Sequence, residues 1–223
     1  MPFWWLVSVS LREGNMFSQG WSILFPEKIT LDYYKKLLFA QNNLPLVKFF
    51  CNTLIYCLLG VTLEVVLASL AAYPLARLDF KGKNFVIFML AALLALPSQA
   101  NTIINFITIR NLGLYDTVLG VVLPTCVNVF SILLLRQAFL TVPQELEDAA
   151  RIDGCNEWQI FTNVCLPLTR STQATVALFA FVAYWNEFLW PLVILKSADK
   201  YPLSVGLAYL ASSFDSDFRV TAA

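Results

Sequence analysis

Long apolar blocks separated by short polar stretches dominate the hydropathy pattern of this chain. A helix that crosses a bilayer needs about 20 consecutive, mostly apolar residues. Four blocks reach that length and predict membrane-spanning helices at about residues 50–75, 85–106, 118–140 and 175–195. The second block is the weakest, because its apolar run stops at Pro97 and polar residues follow. We therefore predict an all-α, polytopic membrane helix bundle.

A polar island, residues 141–171, separates the third apolar block from the fourth. It predicts two short helices divided at Gly154, because glycine adopts without strain the left-handed conformation that ends many helices. Capping-box spacing occurs twice in the island, in the pairs Thr141 with Gln144 and Asn156 with Gln159. The island is therefore predicted to be structured.

The first helix of the island has two further features. Glu145, Glu147 and Asp148 lie in its opening turns, where the helix dipole favours negative charge. Ala149 and Ala150 give it a smooth patch that a partner can approach closely. These features predict a contact element for another protein.

Composition supports the membrane assignment independently. Hydrophobic residues make up 58% of the chain, charged residues only 13%, and the mean hydropathy is +0.67. These values lie outside the range of ordinary soluble domains. The formal net charge is zero, so the chain lacks the basic surface that indicates binding to nucleic acid.

The sequence offers little for catalysis, metal binding or cofactor binding. Histidine is absent, which removes the commonest metal ligand and proton shuttle. The five cysteines lack zinc-type spacing and are expected to be buried, unreactive thiols. No stretch has the pattern of a phosphate-binding loop. We expect a non-enzymatic protein that needs no cofactor and takes its energy from another subunit.

The island resembles the EAA loop of the permease subunits of binding-protein-dependent ABC importers. The family pattern of Glu-Ala-Ala, a later Gly and then Leu-Pro corresponds to Asp148-Ala149-Ala150, Gly154 and Leu166-Pro167. Residues 73–77 and 185–192 are similar to the carbohydrate branch, as in the second permease of maltose and glycerol-3-phosphate importers. Asp148 departs from the usual Glu, and residues 169–171 lack the proline that often follows Leu-Pro.

This resemblance, which covers essentially the whole chain, implies a MetI-like permease of a sugar importer in the plasma or inner membrane of a prokaryote. The implied partners are a second permease, two ATP-binding cassette ATPase subunits, an extracytoplasmic solute-binding protein and the lipid bilayer. ATP-driven closure of the ATPases would push the loops together and so move the attached spans. The implied coupling residues are Glu145, Asp148, Ala149, Ala150, Asp153, Gly154, Leu166 and Pro167.

Four polar residues within the apolar blocks are candidates for the translocation path: Glu64, Asn128, Tyr184 and Asn186. A charge in mid-span is costly, so Glu64 either faces an aqueous route or is protonated or paired at a helix interface. Tyr184 and Asn186 could meet a sugar by stacking and hydrogen bonding. In maltose-type importers much of the substrate contact belongs to the other permease, so direct binding here stays open.

Basic residues near the span ends predict the orientation. Arg77, Lys81 and Lys83 crowd the short loop before the second block, which places that loop in the cytoplasm. The island then lies inside, and residues 12–48 and 196–219 lie outside. A raw count of basic residues favours the reverse, but the rule applies best close to the spans.

The apolar Pro2–Leu11 stretch resembles the outer end of the family's first span, and no apolar block follows residue 195. We expect an interior fragment without its first and last helices, with a genuinely short protein as the alternative. Other functional classes also stay open. They are a permease for amino acids or phosphate, an ion-coupled secondary transporter, and a structural membrane anchor.

Overall fold

A computed structural model of the chain describes residues 46–213, together with Leu11 and Thr30. Every regular element in this part of the chain is a helix, as predicted. The stretch expected to end an earlier span, Pro2–Leu11, falls almost entirely outside the described residues, as does most of the 12–48 segment.

The elements before the polar island are α1 (Leu46–Arg77), α2 (Lys83–Leu93), a 3-10 turn (Ser98–Asn101), α3 (Thr102–Asn111), α4 (Val118–Val122), a 3-10 turn (Leu123–Thr125) and α5 (Val129–Thr141). Within the island lie α6 (Gln144–Ile152), α7 (Glu157–Ile160), a π-helical turn (Phe161–Cys165) and α8 (Leu166–Leu168). After it come α9 (Arg170–Asn186), α10 (Leu189–Ile194), a 3-10 turn (Ala198–Lys200) and α11 (Leu203–Ser213).

In the described part of the chain, α1 is the one continuous helix that is long and apolar enough to cross a bilayer. It has 32 residues, and its most apolar window has a mean hydropathy of 2.2. The segments Val118–Thr125 and Val129–Thr141 pass the same test as a pair bent by 55°. The second apolar block forms α2 and α3, with turns between them around Pro97, where the apolar run in the sequence stops.

The bend between the two segments of that pair has a local cause. Asn128 has extended backbone geometry and caps α5, its Oδ1 accepting a hydrogen bond from the backbone N–H of Phe130 at 2.9 Å. Pro124, in the preceding 3-10 turn, has no N–H to donate to a continuous helix. These two residues end one helix and start the next.

The chain divides into two compact units. The larger, residues 54–194, has a core contributed by α1, α5, α9 and the island. Its buried members are Ala68, Ala72, Tyr73, Leu75, Ala76, Ile132, Leu135, Phe139, Val142, Ile160, Phe161, Cys165 and Val176. Buried apolar side chains of the island are therefore part of the same core as those of the long helices.

The smaller unit contains the start of α1 and the described residues from 195 onward. Asn52 Nδ2 donates hydrogen bonds to the backbone carbonyls of Asp199 and Tyr201, at 2.9 and 3.1 Å. The backbone N–H of Leu203 donates to Thr53 Oγ1 at 2.8 Å. These contacts hold the segment after α10 against the first turns of α1.

Candidate functional site

Gly154 divides the polar island as predicted. Its φ of 82° lies in the left-handed region, and a Cβ added there would meet no atom within 4 Å. Glycine is required by the backbone conformation and not by crowding. The N–H of Cys155 donates to the carbonyl of Ala150 at 2.9 Å, and that of Gly154 donates to Arg151 at 3.1 Å. This is the Schellman arrangement, and it sets the angle between α6 and α7.

Of the two predicted capping boxes, one is confirmed. Asn156 Oδ1 accepts from the N–H of Gln159 at 2.9 Å, and Gln159 Oε1 accepts from the N–H of Asn156 at 2.8 Å. The box predicted at Thr141 is wrong. Thr141 is the last residue of α5, and its hydroxyl donates back to the carbonyl of Ala138 at 2.8 Å. The N-cap of α6 is Pro143, without a side-chain cap.

The residues predicted to couple to an ATPase fall into two groups. Five are exposed to solvent: Glu145, Asp148, Ala149, Asp153 and Gly154. Ala150 and Leu166 are half-buried and pack against the core, and Pro167 is half-buried beside them. The smooth patch expected from the alanine pair is therefore Ala149 alone.

The island also exposes large apolar side chains that the sequence analysis did not single out: Leu146, Ile152, Trp158 and Leu168. Ile152 and Trp158 are the most exposed of them. Ile152 is 87% exposed and Trp158 is 61% exposed. Their signal in the sequence was a large apolar side chain between charged or polar neighbours, as in Arg151-Ile152-Asp153 and Glu157-Trp158-Gln159. Together with the exposed carboxylates they form a mixed apolar and acidic surface, which we call the outer face.

Glu147 lies in the first turn of α6, as predicted, but its contacts were not foreseen. Its side chain is 3% exposed, and its Oε1 lies 2.9 Å from Nε of Arg77 at the end of α1. The Nε–H is not aligned for a hydrogen bond within the described residues, so the contact is an ion pair. Arg77 also donates from Nη2 to the backbone carbonyl of Val142. The predicted role of Glu147 at the helix dipole accounts for none of these contacts.

A second carboxylate, Glu157, connects three elements. Its Oε2 accepts from the Tyr73 hydroxyl of α1 at 2.9 Å. Its Oε1 accepts from Arg151 Nη2 at 3.0 Å and from Arg151 Nε at 3.2 Å. Arg151 also donates to Asp148 at 3.2 Å. The Glu157 hydrogen bond is the main cause that raises the pKa of Arg151.

Cys165 lies beneath this network and is fully buried. Its Sγ is 3.5 Å from Oε1 of Glu147. Burial, followed by the negative charge of Glu147, raises the pKa of the Cys165 thiol to about 12. The thiol is therefore neutral and unreactive at neutral pH, as predicted. Cys57 and Cys126 are buried too, but Cys51 is exposed and Cys155 is half-buried, so the expectation of buried cysteines is wrong for these two.

Two of the four candidates for the translocation path, Glu64 and Tyr184, form hydrogen bonds between helices. Glu64 of α1 is 3% exposed, and its Oε1 accepts from the Ser131 hydroxyl of α5 at 2.6 Å. The Tyr184 hydroxyl of α9 hydrogen bonds with Thr125 Oγ1 at 3.2 Å, just before the bend. These polar groups connect α1 and α9 to the bent pair, so Glu64 is paired at a helix interface.

Asn128 and Asn186 are exposed and bond locally. Asn128 caps α5, and Asn186 Nδ2 donates to the carbonyl of Val182 on its own helix at 2.8 Å. Nearby, Glu187 Oε1 accepts from the N–H of Trp190 at 3.1 Å. Within the described residues, no group of three or more Cys, Asp or Glu side chains is placed to hold a metal ion.

Comparison with known proteins identifies the class. Residues 64–223 match the family described as the inner membrane component of binding-protein-dependent transport systems. The structure superposes with a TM-score of 0.84 on a bacterial ABC transporter involved in the import of the acidic polysaccharide alginate, at 27% identity. The match covers 99% of this chain and 82% of that chain. The fold is that of an ABC importer permease, as expected.

Curated relatives agree with this class. The arabinooligosaccharides transport system permease protein AraQ of Halalkalibacterium halodurans is 34% identical over 217 residues, 96% of this chain and 77% of that protein. The diacetylchitobiose uptake system permease protein NgcG of Streptomyces coelicolor is 30% identical over 223 residues, 98% of this chain and 72% of that protein. The chain belongs to the binding-protein-dependent permease family, a bacterial inner-membrane, non-catalytic component that works with a solute-binding protein and an ATPase.

Proposed function

We propose that this permease carries carbohydrate across the membrane and receives the energy of ATP hydrolysis through its polar island. The observation that carries the proposal is the island's rigid outer face. Two helices are fixed by a Schellman turn and a capping box, and they expose Ile152 and Trp158 among carboxylates. Exposed apolar groups rimmed by charge are typical of protein contact surfaces.

In this proposal, the apolar blocks at about 50–75, 85–106, 118–140 and 175–195 are membrane spans, and the outer face docks in the cytoplasm on an ATPase subunit. A second permease and a second ATPase complete the translocation unit, and the solute-binding protein delivers substrate from outside. The docking residues are the exposed Glu145, Asp148, Ala149, Asp153 and Gly154, with Ile152 and Trp158. The half-buried Ala150, Leu166 and Pro167 position the docking residues against the core.

The carbohydrate substrate follows from the relatives. AraQ and NgcG are named for arabinooligosaccharides and diacetylchitobiose, and the alginate importer is described as importing a polysaccharide. These share a chain of linked, hydroxyl-rich sugar rings. Aromatic stacking and hydrogen bonding suit such substrates. We propose an oligosaccharide as the substrate class.

Co-purification tests the docking step. The permease is expressed with its ATPase subunits, solubilised and isolated through a tag on the permease. Ile152→Arg places a charge at the most exposed apolar position of the outer face, so ATPase recovery should fall. Phe80→Arg is the matched control, because Phe80 is also exposed but lies in the short loop after α1. Equal ATPase recovery with Ile152→Arg and the unmodified protein would contradict docking by this face.

A further inference from the structure

We propose that Glu147 and Glu157 tie the polar island to the end of α1, so that α1 moves with the island during transport. The chain itself connects the island only to α5 and α9. Side-chain contacts between the island and α1 would make α1 a third helix that moves with the island. The inference rests on the proposed function, because it presupposes that the island is pushed by an ATPase. Arg77 and Tyr73 are the positioning residues on α1.

The Arg77–Glu147 contact is buried at both ends. The side chains are 11% and 3% exposed, and the charged groups lie 2.9 Å apart. Separating this pair would leave Arg77 without its carboxylate and Glu147 with only the 3.9 Å contact to Arg151, in a poorly solvated site. That costs far more than separating exposed charges. The pair therefore resists opening when force is applied to the island. By contrast, the Arg151–Asp148 pair is 40% and 57% exposed, and pairs of that kind contribute little.

The second tie uses an aromatic side chain. The Tyr73 hydroxyl donates to Glu157 at 2.9 Å, while its ring packs at 5.0 Å from Phe161 in the π turn and at 6.0 Å from Phe139 of α5. Phe139 and Phe161 are themselves 6.1 Å apart. Three elements thus meet in one aromatic cluster beneath the hydrogen bond. Close packing of this kind transmits displacement instead of absorbing it.

These contacts have a mechanical consequence. The end of α1 is held by a buried ion pair, by a hydrogen bond and by shared apolar core, all from the island or the end of α5. A push on the island would therefore displace α1 together with α5 and α9 as one body. Coupling requires an element with two arrangements that both sites bias. The proposed element is the body formed by these three helix ends and the island.

Distance measurements between spin labels test whether α1 and the island move together. Cysteines for the labels are placed at Asp79, just after α1, and at Asn163 in the island, in a background without native cysteines. Both positions are exposed. The complex with its ATPases is studied in lipid nanodiscs with and without bound ATP. The Asp79–Asn163 distance should be the same in both states. In the double variant Tyr73→Phe with Glu147→Gln, it should differ between them.

A functional readout accompanies the distances. Tyr73→Phe keeps the ring packing, and Glu147→Gln keeps the shape of the side chain, so both ties weaken without a large change in volume. Uptake per ATP hydrolysed should fall roughly 2- to 30-fold in the double variant. Lys83→Met is the control, since the bonds of Lys83 within the described residues go to Asp79, Ala76 and Leu78 near the same helix end. It should keep the normal ratio.

The outcomes separate the inference from the proposed function. A distance that shifts with ATP in the unmodified protein, or an unchanged uptake-to-ATP ratio in the double variant, would overturn the tie while leaving docking intact. A label at Ile152 whose mobility does not change when ATPases are added would overturn docking, and the inference would fall with it. A distance that is constant in the unmodified protein but shifts with ATP in the double variant, together with a lowered uptake-to-ATP ratio in that variant, supports the tie.

Discussion

Gly154 is the residue on which the shape of the polar island depends most directly. Gly154→Val forces a β-branched residue to a φ of 82°, which L-residues adopt at a cost of about 1–2 kcal/mol. The angle between α6 and α7 should change, and ATPase co-purification should fall. Gly154→Asn is the matched control, because asparagine tolerates the left-handed region. If both variants recover as much ATPase as the unmodified protein, the left-handed turn is not needed for docking.

Cys165 reports on the charge of Glu147 through its reactivity. The folded thiol has a pKa of about 12 against an ordinary value of 9.0, so it stays neutral where an exposed thiol ionises. Between those values folding disfavours the thiolate, and the stability that this site contributes is lost as pH rises from 9.0 toward 12. Glu147→Gln removes a charge that raises the pKa, so the pKa should fall.

The measurement is the rate at which Cys165 reacts with a small thiol reagent as pH is varied, with the other cysteines replaced. In the unmodified island the rate should stay low at pH 9.0 and rise only well above it. The Glu147→Gln profile should be displaced to lower pH. Superimposable profiles would show that Glu147 does not act on this thiol.

Local rules predicted some of these residues and not others. The Gly154 turn and the Asn156–Gln159 box follow from neighbours in sequence, because one backbone conformation or one short spacing decides each. The Thr141 box failed because α5 continues through Thr141, so the required spacing was present without a helix start. The position of Glu147 in the first turn of α6 was predicted, but its ion pair with Arg77 was not, because Arg77 lies far away in sequence.

Helix positions show the same division. Apolar length predicted α1 and the helical character of each block, since a long apolar run has few other structures available to it. It did not predict the 55° bend between Val118–Thr125 and Val129–Thr141, which depends on Pro124 and on the Asn128 cap. The Glu64–Ser131 hydrogen bond spans 67 residues and follows from packing alone. No periodicity in either helix specifies that pairing.

At Gly60, α1 approaches Tyr184 of α9 closely. A Cβ there would lie 2.4 Å from the ring of Tyr184, so any side chain must displace the ring. Gly60→Val should break the Tyr184–Thr125 hydrogen bond and lower thermal stability by about 1–3 kcal/mol, the usual cost of overpacking. The measurement is the thermal unfolding midpoint of the purified protein in detergent.

Thr62→Val is the control for that measurement, because Thr62 is exposed on the same helix and its hydroxyl donates to the backbone carbonyl of Leu58, one turn earlier. It should leave the midpoint unchanged. A Gly60→Val variant as stable as this control would show that α9 does not approach α1 as closely as the structure has it.

The orientation of the whole molecule is testable with the described residues. The Arg77–Glu147 pair places the short basic loop and the polar island at the same end of α1, so the two share one side of the membrane. We predict that side to be the cytoplasm. A cysteine at Ile152 should react with an impermeant maleimide only from the cytoplasmic side, and one at Asp199 only from outside. Labelling with the two sides exchanged would reverse the assignment.

ATP-driven uptake is the most direct test of the function as a whole. The permease is reconstituted with its second permease and ATPases in liposomes, and a labelled oligosaccharide is supplied with the solute-binding protein. Accumulation should require ATP on the side of the membrane that carries the ATPase subunits. Ile152→Arg should abolish accumulation, while Phe80→Arg should not. Accumulation at the same rate without ATP, or undiminished accumulation by Ile152→Arg, would contradict energy transfer through the polar island.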